Sequence, residues 1–382
     1  MKKQMIRVGI IGARGYTGTE LLKLLLTHPY VDLKYYFYSP ERAFSLDEMG
    51  LYERNHTSLL PTGISLLELL DENFDIPSRL DVIFLATPNE VSLELVSKLS
   101  SHRIHLIDLS GVFRLNYPSH EQIKEQYQKY YKINHTHPEL LSKFIYGLIP
   151  FYKNQYQDIP SDSFLVANPG CYVTSVLMAL KPLLNEGLIL PDPIIVDAKS
   201  GTSGAGKKAS ENLLFSEVYN ECLPYKVIHH QHTPEIEFFL NKESHYQSQK
   251  VKLVFTPHLL PIHRGIISSI YVKWSKEMVK RNAVEKMESL ENAYFKYYSD
   301  YPLIDWGRVG VKKSIINMKN VINTPRTQVG YDFDEENICL FSQIDNLLKG
   351  AASQAIENMN LIYNHSPETG LTRTCLSKME SL

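Results

Sequence analysis

Residues 6–18 read IRVGIIGARGYTG, a short apolar run that leads into a turn with three evenly spaced glycines. Apolar residues recur at helical spacing from Tyr16 to Thr27, so this stretch predicts a strand, a glycine turn and a helix. Such glycines let the backbone approach a pyrophosphate, and the start of the helix offers N–H groups and a positive dipole end. The spacing is GxxGxxG rather than GxGxxG, and a plain tight turn is the alternative, but the context favours a dinucleotide site.

The rest of the N-terminal half repeats the alternation of strand and helix. Short aliphatic or β-branched runs predict further strands at 33–38, 81–86, 104–109 and 164–167, and residues 91–100 predict a helix. This alternation is typical of a parallel, doubly wound sheet, so we predict an α/β fold with an N-terminal Rossmann-type domain. Residues 116–144 are polar and rich in Tyr, Lys and Gln, which predicts a helical excursion on the surface.

The pattern changes after about residue 172. A helix at 172–185 precedes longer strands near 193–198, 251–256, 266–274 and 338–344, and the scarcity of helices between them predicts a mixed or antiparallel second sheet. A strongly apolar helix is predicted at 344–363. The predicted domains are therefore 1–168, completed by a C-terminal helix at 345–364, a second α+β domain at 169–344, and a loosely held tail at 365–382.

Composition narrows the class of protein. The 382 residues carry 40 basic and 42 acidic side chains, a formal charge of −2, with 43% hydrophobic and 21% charged residues. These values are typical of globular domains and give no electrostatic basis for binding nucleic acid. No apolar run approaches the roughly 18 residues that cross a bilayer, and the N-terminus lacks the apolar stretch of a signal peptide. We therefore expect a cytoplasmic protein without a membrane or nucleic-acid partner.

One cysteine stands apart from the others. The four cysteines are widely spaced and form no CxxC pair, which argues against a disulfide framework or a zinc knuckle: Cys171, Cys222, Cys339 and Cys375. Cys171 follows the turn Asn168-Pro169-Gly170 and precedes an apolar helical pattern. At the start of a helix, the dipole and the N–H groups favour a thiolate. Most lone cysteines are buried packing residues, but this turn favours a nucleophile.

A nucleophilic cysteine needs a proton donor or acceptor nearby. Five of the fourteen histidines fall in two clusters, with His229, His230 and His232 in one and His258 and His263 in the other. A metal site is the competing interpretation, but Glu235 is the only nearby acid and no cysteine adjoins either cluster. We expect no metal, and the residue pattern alone leaves the choice of histidine open.

Two further segments suggest anion binding. Ser39 and Arg42 follow the second predicted strand, where NAD-selective sites usually carry an acid for the ribose 2′-hydroxyl, so they favour NADP although Glu41 lies between them. Residues 200–208 read SGTSGAGKK, and successive glycine and hydroxyl residues with two lysines predict a cradle of N–H groups for an anion. A flexible surface loop is the alternative for this segment.

With these segments the chain closely resembles the N-acetyl-γ-glutamyl-phosphate reductases, NADPH-dependent enzymes of arginine biosynthesis. The matching stretches include residues 8–12 (VGIIG), 107–110 (IDLS), 168–172 (NPGCY), 203–206 (SGAG), 232–236 (HTPEI), 257–259 (PHL) and 345–352 (DNLLKGAA). The glycine turn, the cysteine turn and the last stretch are shared with aspartate-semialdehyde dehydrogenases, whereas the histidine-containing stretches are more specific to the glutamyl-phosphate branch. The resemblance covers nearly the whole chain. It implies a Rossmann domain and a dehydrogenase-type α+β catalytic domain that carries the interface of a homodimer or homotetramer.

The resemblance also implies roles for individual residues. Cys171 matches the nucleophile that attacks the γ-acyl phosphate and forms a thioester, which NADPH reduces to N-acetylglutamate 5-semialdehyde. His232 matches the acid/base histidine, with His230 as the second choice. The implied substrate contacts are Arg114, Asn168, Gly170, His230 and Arg264. The implied cofactor contacts are Gly12, Arg14, Gly15, Tyr16, Thr17, Gly18, Ser39, Arg42, Pro88, Ser203, Gly204 and Asn346.

The chain departs from the usual family pattern at a few positions. Gln231 replaces an arginine, residues 147–150 read GLIP in place of Gly-Leu-Pro-Glu, Asn89 replaces a frequent histidine, and Ser353 replaces a glycine. None of these changes removes a catalytic group. The alternatives are the same chemistry on aspartyl phosphate or on a carrier-linked aminoadipyl phosphate, which substrate preference separates, and a catalytically silent nucleotide-binding protein.

Overall fold

The computed structural model describes residues 5–50, 60–157, 163–242, 244–246, 249–311 and 315–372. These residues divide into two compact units. The first takes in the described parts of Met1–Tyr127, Ile133–Asn168 and Ala352–Leu382, and the second those of Gln128–Lys132 and Pro169–Ala351. Within the described residues each unit is built on one seven-stranded sheet. No helix in these ranges is both long enough and apolar enough to cross a membrane.

The first unit is a parallel sheet with helical connections. Its strands are β1 (Ile6–Ile11), β2 (Val31–Tyr38), β3 (Thr62–Ser65), β4 (Val82–Leu85), β5 (His105–Asp108), β6 (Phe144–Tyr146) and β7 (Leu165–Ala167). Its helices up to residue 168 are α1 (Tyr16–Leu26), α2 (Leu66–Leu69), α3 (Ile76–Arg79), α4 (Asn89–Leu99), α5 (His120–Gln126) and α6 (Ile149–Tyr152). The strand order is β3-β2-β1-β4-β5-β7-β6, and every neighbouring pair is parallel. The predicted doubly wound sheet is confirmed.

The second unit is a mixed sheet. Its strands are β8 (Ile194–Gly201), β9 (Leu223–Pro224), β10 (Leu253–Leu260), β11 (Ile266–Lys273), β12 (Ile304–Arg308), β13 (Thr327–Phe333) and β14 (Asn337–Ile344). Its helices are α7 (Cys171–Asn185), α8 (Phe215–Val218), α9 (His232–Asn241), α10 (Lys276–Val279) and α11 (Ala283–Tyr298). The strand order is β12-β13-β14-β11-β8-β10-β9. β8 runs parallel to β10 and β12 to β13, and the other neighbours are antiparallel, so the predicted mixed sheet is confirmed.

The two faces of the second sheet differ. Helix α7 packs against β11, β13 and β14, and all of its residues from 172 to 184 are buried. On the other face, neighbouring strands expose Ile195, Val254 and Tyr271, with exposed fractions of 44%, 48% and 43%. Ile195 lies opposite both Val254 and Tyr271 in the strand register, so the three side chains form an apolar row on an uncovered face.

The turn after β1 is shaped by Gly12. Its φ is +89°, in the left-handed region, and a β-carbon there would lie 2.3 Å from the carbonyl oxygen of Ala86, just beyond β4. Helix α1 begins at Tyr16 with Gly15 as its N-cap, and no side chain caps its first turn. The strand, glycine turn and helix predicted for residues 6–27 are confirmed.

The predicted C-terminal helix, given as 344–363 from its pattern and as 345–364 in the domain division, begins several residues before the helix that the structure shows. Ile344 is the last residue of β14, a π-helical turn spans Leu348–Ala352, and α12 is Ser353–Ile362. Asp345 separates strand from helix, because its Oδ1 accepts hydrogen bonds from the backbone N–H groups two and three residues later. The apolar pattern continues from strand to helix, so the pattern alone does not reveal this boundary.

The first part of the predicted loose tail is anchored. Nδ2 of Asn360 donates hydrogen bonds to the carbonyl oxygens of Pro367 and Thr369, at 2.9 Å each. His365 stacks on Tyr30 with ring centroids 4.3 Å apart. Residues 365–372 are therefore held on the first unit, contrary to the prediction. Residues 373–382, which include Cys375, lie outside the described residues.

The predicted excursion at 116–144 is helical only in part and is not confined to the surface. It contains α5, a π-helical turn at Tyr127–Tyr131 and a 3-10 helix at Pro138–Lys143, and Phe144 already belongs to β6. Tyr127 is buried, and its hydroxyl accepts a hydrogen bond from the N–H of Leu115 at 3.0 Å. Aromatic residues of this polar segment therefore contribute to the core of the first unit.

Candidate active site

Cys171 is the first residue of α7, a helix of 15 residues, and Gly170 precedes it as the N-cap in extended backbone. The cysteine is half-buried. This position puts the thiol at the positive end of the helix dipole, which favours a thiolate. The turn after β7 thus delivers Cys171 to a helix N-terminus, as the sequence predicts.

Backbone of the π-helical turn packs directly against Cys171. A β-carbon on Gly350 would lie 2.7 Å from Cβ of Cys171 and 3.2 Å from its Cα. The N–H of Gly350 donates to the carbonyl oxygen of Asp345 at 2.9 Å, which is the five-residue spacing of a π-helix. Only a residue without a side chain allows this approach, so the π-helical turn and the cysteine turn fit together through Gly350.

His230 and His232 lie side by side, with ring centroids 4.8 Å apart. His232 is the first residue of α9, and its N–H donates to Nδ1 of His230 at 3.1 Å, so this nitrogen of His230 carries no proton. Burial, and secondarily the charge of Lys226, lowers the pKa of His230 to about 3. His230 is therefore neutral near pH 7 and acts as an acceptor that holds the start of α9.

Aromatic rings surround His230. The ring centroids of Tyr172, Tyr225 and Phe255 lie 5.6, 5.6 and 5.3 Å from that of His230. The hydroxyls of Tyr172 and Tyr225 are 3.1 Å apart and share a hydrogen bond. Burial raises the pKa of Tyr172, and it raises the pKa of Tyr225 to about 12, with negative charge on Cys171 as a further cause for both. Both hydroxyls keep their protons and lie within electrostatic range of the thiol.

A fully buried carboxylate joins α7 to α9. Glu235 lies in the first turn of α9, and its Oε1 accepts a hydrogen bond from the N–H of Gly170 at 3.0 Å. The bond satisfies one backbone N–H at the start of α7. Cys171 and His232 thus occupy the first positions of two helices whose N-termini are joined. The described ranges contain no group of three or more His, Cys, Asp or Glu arranged to hold a metal ion.

The loop at 200–208 is fastened to residues 262–265. The N–H groups of its first residues donate to carbonyl oxygens of that segment at 2.9 to 3.0 Å, in the pairs Gly201 to Gly265, Thr202 to Ile262 and Ser203 to His263. These three N–H groups are already bonded, so the predicted cradle of successive N–H groups is not formed by them. The loop is also not a flexible one at this end, since Thr202–Ala205 form a 3-10 turn.

Asn346 joins the same two segments. Its Oδ1 accepts a hydrogen bond from the N–H of Gly265 at 2.8 Å, and its Nδ2 donates to Oγ of Ser203 at 3.0 Å. The adjacent Asp345 is buried and pairs with Arg264 at two atoms, Nε at 2.7 Å and Nη2 at 2.9 Å. A two-point pair of this kind fixes the plane of the guanidinium. Two predicted cofactor contacts therefore bond to each other, and a predicted substrate arginine has its charge paired.

The predicted nucleotide contacts of the first unit lie at the carboxyl ends of its strands. Residues 12–18 follow β1, Ser39 and Arg42 follow β2, and Pro88 is the N-cap of α4 after β4. The strand order reverses between β1 and β4, and α/β sheets bind ligands at such points. Oγ of Ser39 donates to the carboxylate of Glu41 at 2.9 Å, and Arg42 is exposed.

Arg114 and Asn168 are buried in the first unit. Nη2 of Arg114 donates to the carbonyl oxygen of Leu109 at 3.0 Å, and Oδ1 of Asn168 accepts a hydrogen bond from Asn358 of α12 at 3.3 Å. Burial raises the pKa of the neighbouring Asp108, although the hydroxyl of Ser110 donates to its carboxylate. Both predicted substrate residues are thus fixed by bonds within the first unit.

The predicted residues fall into three groups. Gly170, Cys171, His230 and His232 form one cluster of the second unit, and Ser203, Gly204, Arg264 and Asn346 form another, which Asp345 and Gly350 connect to the first. The remaining predicted residues belong to the first unit. Sequence reasoning did not single out Tyr172, Tyr225, Asp345 or Gly350. Three of these lie in the recognised stretches 168–172 and 345–352, whereas Tyr225 carries no sequence signal.

Family models and solved structures match both units. Residues 7–159 match the semialdehyde dehydrogenase, NAD binding domain, and residues 171–346 match the semialdehyde dehydrogenase, dimerisation domain. Aspartate semialdehyde dehydrogenase II from Vibrio cholerae aligns with a TM-score of 0.66 and 18% identity over 94% of this chain and 99% of that chain. The aspartate semialdehyde dehydrogenase with NADP from Candida albicans aligns with a TM-score of 0.65 and 13% identity over 94% and 99%. These likenesses show the fold.

Relatives of higher identity carry one name, N-acetyl-gamma-glutamyl-phosphate reductase. The protein of that name from Halothermothrix orenii is 38% identical over 96% of this chain and 98% of its own length. The one from Clostridium botulinum is 38% identical, and the one from Campylobacter jejuni subsp. doylei 37% identical, with the same coverage of 96% and 98%. The glycine turn at residues 12–18, Cys171 and helix α9 all lie within the residues that the two family models match. The chain belongs to the N-acetyl-gamma-glutamyl-phosphate reductase family.

Proposed function

We propose that the protein reduces N-acetyl-γ-glutamyl phosphate to N-acetylglutamate 5-semialdehyde and phosphate with NADPH, a step of arginine biosynthesis. Relatives 37% and 38% identical over nearly the full chain carry the name of the enzyme for this reaction. The observation that carries the proposal is the hydrogen bond between Gly170 and Glu235, which joins the helices that begin with Cys171 and His232. A thiol and an imidazole at joined helix starts are the two groups that this chemistry needs.

Cys171 is the proposed nucleophile. Its thiolate forms a bond to the γ-carbonyl carbon, and the bond from that carbon to the phosphate oxygen breaks, so that phosphate leaves with the electron pair. The resulting thioester holds the acyl group in place and keeps its carbonyl electrophilic. A bound nicotinamide supplies the hydride for this carbonyl. Collapse of the thiohemiacetal then releases the aldehyde and returns the thiolate of Cys171.

His232 is the proposed acid/base group. It accepts the thiol proton before attack, gives the proton to the carbonyl oxygen as that oxygen becomes negative, and takes it back when the thiohemiacetal collapses. His230 is a poor candidate for this role because its pKa of about 3 leaves it unprotonated near pH 7. Its Nδ1 instead accepts the N–H of His232 and so keeps the start of α9 in place.

We infer that the first unit binds the nicotinamide dinucleotide and that the cofactor is NADP. The absence of a side chain at Gly12 keeps the turn close to the end of β4, and the first turn of α1 has no side-chain cap that would compete with a pyrophosphate. Ser39 and Arg42 supply a hydroxyl and a guanidinium beyond β2, which suit a 2′-phosphate. The other contacts proposed in this unit are Arg14, Gly15, Tyr16, Thr17, Gly18 and Pro88.

Arg264 is the proposed substrate-binding arginine of the second unit. The pair with Asp345 holds its Nε and Nη2 atoms, and a guanidinium gripped along one edge keeps a single orientation towards a phosphate or carboxylate. Gly170 lies next to the nucleophile and leaves room for the substrate carbonyl. For Arg114 and Asn168 of the first unit, a role in substrate binding stays a prediction.

We propose that the enzyme is a homodimer or homotetramer in which a second copy covers the open face of the second sheet. The apolar row of Ile195, Val254 and Tyr271 is exposed on strands that lie within the range matched by the dimerisation domain. An uncovered apolar sheet face is typical of an interface. We also infer a cytoplasmic location, which suits Cys171, Cys222 and Cys339, because none of the three forms a disulfide within the described residues.

Running the reaction backwards tests the proposed function, because the acyl phosphate is unstable. Purified protein receives N-acetylglutamate semialdehyde, phosphate and NADP⁺, and the absorbance of the reduced nicotinamide is followed. Aspartate semialdehyde serves as the control for the substrate and NAD⁺ as the control for the cofactor. Cys171→Ser is the control for the proposed nucleophile. We expect phosphate-dependent reduction with the acetylated substrate alone, faster with NADP⁺ than with NAD⁺ and absent in the variant. Activity on aspartate semialdehyde alone would overturn the substrate, and equal rates with NAD⁺ would overturn the cofactor preference.

A further inference from the structure

Helices α7 and α9 are joined at a second point, far from Cys171. Lys181 of α7 is fully buried, and its Nζ donates hydrogen bonds to the carbonyl oxygens of Phe239 and Lys242 at 2.9 and 2.7 Å. These oxygens belong to the C-terminal end of α9, where backbone carbonyls lack partners within the helix. The ammonium also meets the negative end of the α9 dipole. Lys181 therefore caps α9 from the neighbouring helix.

The two junctions follow each other in the same order along both helices. Lys181 lies ten residues after Cys171, and Lys242 lies ten residues after His232. Ten residues correspond to about 15 Å of helix in each case. The first junction is the bond between Gly170 and Glu235. Lys181 follows Gly170 by 11 residues, and the two carbonyl groups that it meets follow Glu235 by four and seven residues, so α7 and α9 run in the same direction with their N-termini at the same end of the pair.

A helix that is held at one end only can pivot about that end. Loss of the Lys181 junction would weaken the hold of α7 on the C-terminal end of α9, and the position of His232 relative to Cys171 would be less well defined. Displacement of a catalytic group by about 1 Å can reduce a rate on the order of 10²-fold. Replacing Lys181 by an apolar side chain also leaves the carbonyl oxygens of Phe239 and Lys242 without this donor, which lowers stability, so an effect on catalysis has to be measured under conditions where the variant is folded.

We propose that Lys181 is a positioning residue for the reaction: by holding the C-terminal end of α9 against α7, it fixes the position of His232 relative to Cys171. Lys181 touches neither substrate nor cofactor in this role and acts through His232. The proposal rests on the proposed function of Cys171 and His232. It adds to that function a residue whose importance comes only from the geometry of two helices.

A double-mutant cycle tests the proposal. The turnover number is measured by the reverse assay for the wild type, Lys181→Met, His232→Asn and the protein with both changes, and Lys181→Arg serves as the conservative variant. Lys286→Met is the matched control, because Lys286 of α11 is also buried and its Nζ donates to the carbonyl oxygen of Glu335 at 2.7 Å. Thermal unfolding is recorded for each protein. Lys181→Gln, which keeps one donor, replaces Lys181→Met if the latter does not fold.

We expect Lys181→Met to lower the turnover number by about 10- to 100-fold with the KM for NADP⁺ unchanged. Lys181→Arg should restore most of the rate, and Lys286→Met should stay near the wild type. The double variant should be no slower than His232→Asn by more than about twofold, because residues that act through one another are not additive. Additive losses, or a Lys181→Met or Lys181→Gln enzyme with wild-type turnover, would overturn the proposal.

A second readout does not depend on the substrate. The rate at which iodoacetamide alkylates Cys171 is measured on the same proteins, with the modified peptide identified by mass spectrometry. If Lys181 acts through His232, Lys181→Met and His232→Asn should change this rate in the same direction, and Lys286→Met should not change it. If the alkylation rates change in this way but the wild-type protein does not act on N-acetylglutamate semialdehyde, the proposed substrate would be wrong and the positioning role of Lys181 would be supported. If the alkylation rate of Cys171 changes in His232→Asn but not in Lys181→Met, Lys181 does not position His232 and the proposal would be overturned.

Discussion

The environment of Cys171 is set by neighbouring groups that donate or accept hydrogen bonds and by one neighbour that has no side chain. The hydroxyls of Tyr172 and Tyr225 stay protonated because burial raises both pKa values, and Nδ1 of His230 is committed to the N–H of His232. Gly350 contributes only backbone at the point where it meets the cysteine. These neighbours leave His232 as the imidazole available to exchange a proton with the thiol, which is the assignment that we propose.

Gly350→Ala should disturb Cys171 directly. The new β-carbon would lie 2.7 Å from Cβ of Cys171, so either the π-helical turn or the start of α7 has to move. Overpacking of this kind costs about 1–3 kcal/mol of stability. The displaced thiol should also lower the turnover number on the order of 10²-fold. Urea unfolding and the reverse assay measure the two effects.

A cycle with Cys171→Gly shows whether the contact is the cause. Removing the side chain of Cys171 removes the partner of the clash, so Gly350→Ala should cost less stability in the Cys171→Gly background than in the wild type. The same cost in both backgrounds would mean that the new methyl group meets something else, and the close approach of these two residues would be wrong.

At the scale of secondary structure, the sequence predicts the central strands of the first sheet, which are buried on both faces, and also β8, β10 and β11, which have one exposed face. All residues of β4 and nearly all of β1 are buried, and such strands read as continuous aliphatic runs. The elements that it misses include edge strands, elements with weak periodicity and β13, an interior strand of the second sheet. β6 and β9 have three and two residues, and the buried face of α11 includes a lysine and two tyrosines, so neither gives a regular apolar pattern.

Buried and half-buried histidines tie elements of the first unit together and should make it sensitive to acid. Nδ1 of His105 in β5 accepts the N–H of Phe164, just before β7, at 2.9 Å. Burial lowers the pKa of His105 to about 4, and burial also lowers the pKa of His28 and His135. In the unfolded chain each histidine has a pKa of about 6.5 and binds protons that the folded state does not. The free energy of unfolding should therefore have its full value above about pH 6.5 and should decrease as the pH is lowered towards 4.

Urea unfolding between pH 7 and pH 4 checks this prediction. His105→Asn keeps an acceptor for Phe164 but no titrating group, so its stability should fall less steeply on acidification than that of the wild type. His120→Asn is the control, because His120 is exposed on α5 and its removal should leave the slope unchanged. Equal slopes for the wild type and His105→Asn would show that His105 does not contribute to the acid sensitivity.

At the scale of the whole molecule, the site is assembled by contacts between residues far apart in the chain. Gly170 and Glu235 are 65 positions apart, and Arg264 and Asp345 are 81 apart. Local patterns predict the glycine turn, the cysteine at a helix start and the histidine cluster, because each of these is a property of a short segment. They do not predict which segments meet. The segment 200–208 is an example, because its local pattern does not show that residues 262–265 take up the N–H groups of Gly201, Thr202 and Ser203.

If Cys171 is the nucleophile, it carries the acyl group during the reaction, and this acyl-enzyme can be detected directly. Wild-type protein is mixed with freshly prepared N-acetyl-γ-glutamyl phosphate in the absence of nicotinamide and examined by intact-protein and peptide mass spectrometry. We predict one N-acetylglutamyl group on Cys171, lost when NADPH is added and never formed in Cys171→Ser. An acyl group on another residue, or wild-type turnover with no acylated Cys171 at any time, would contradict the account.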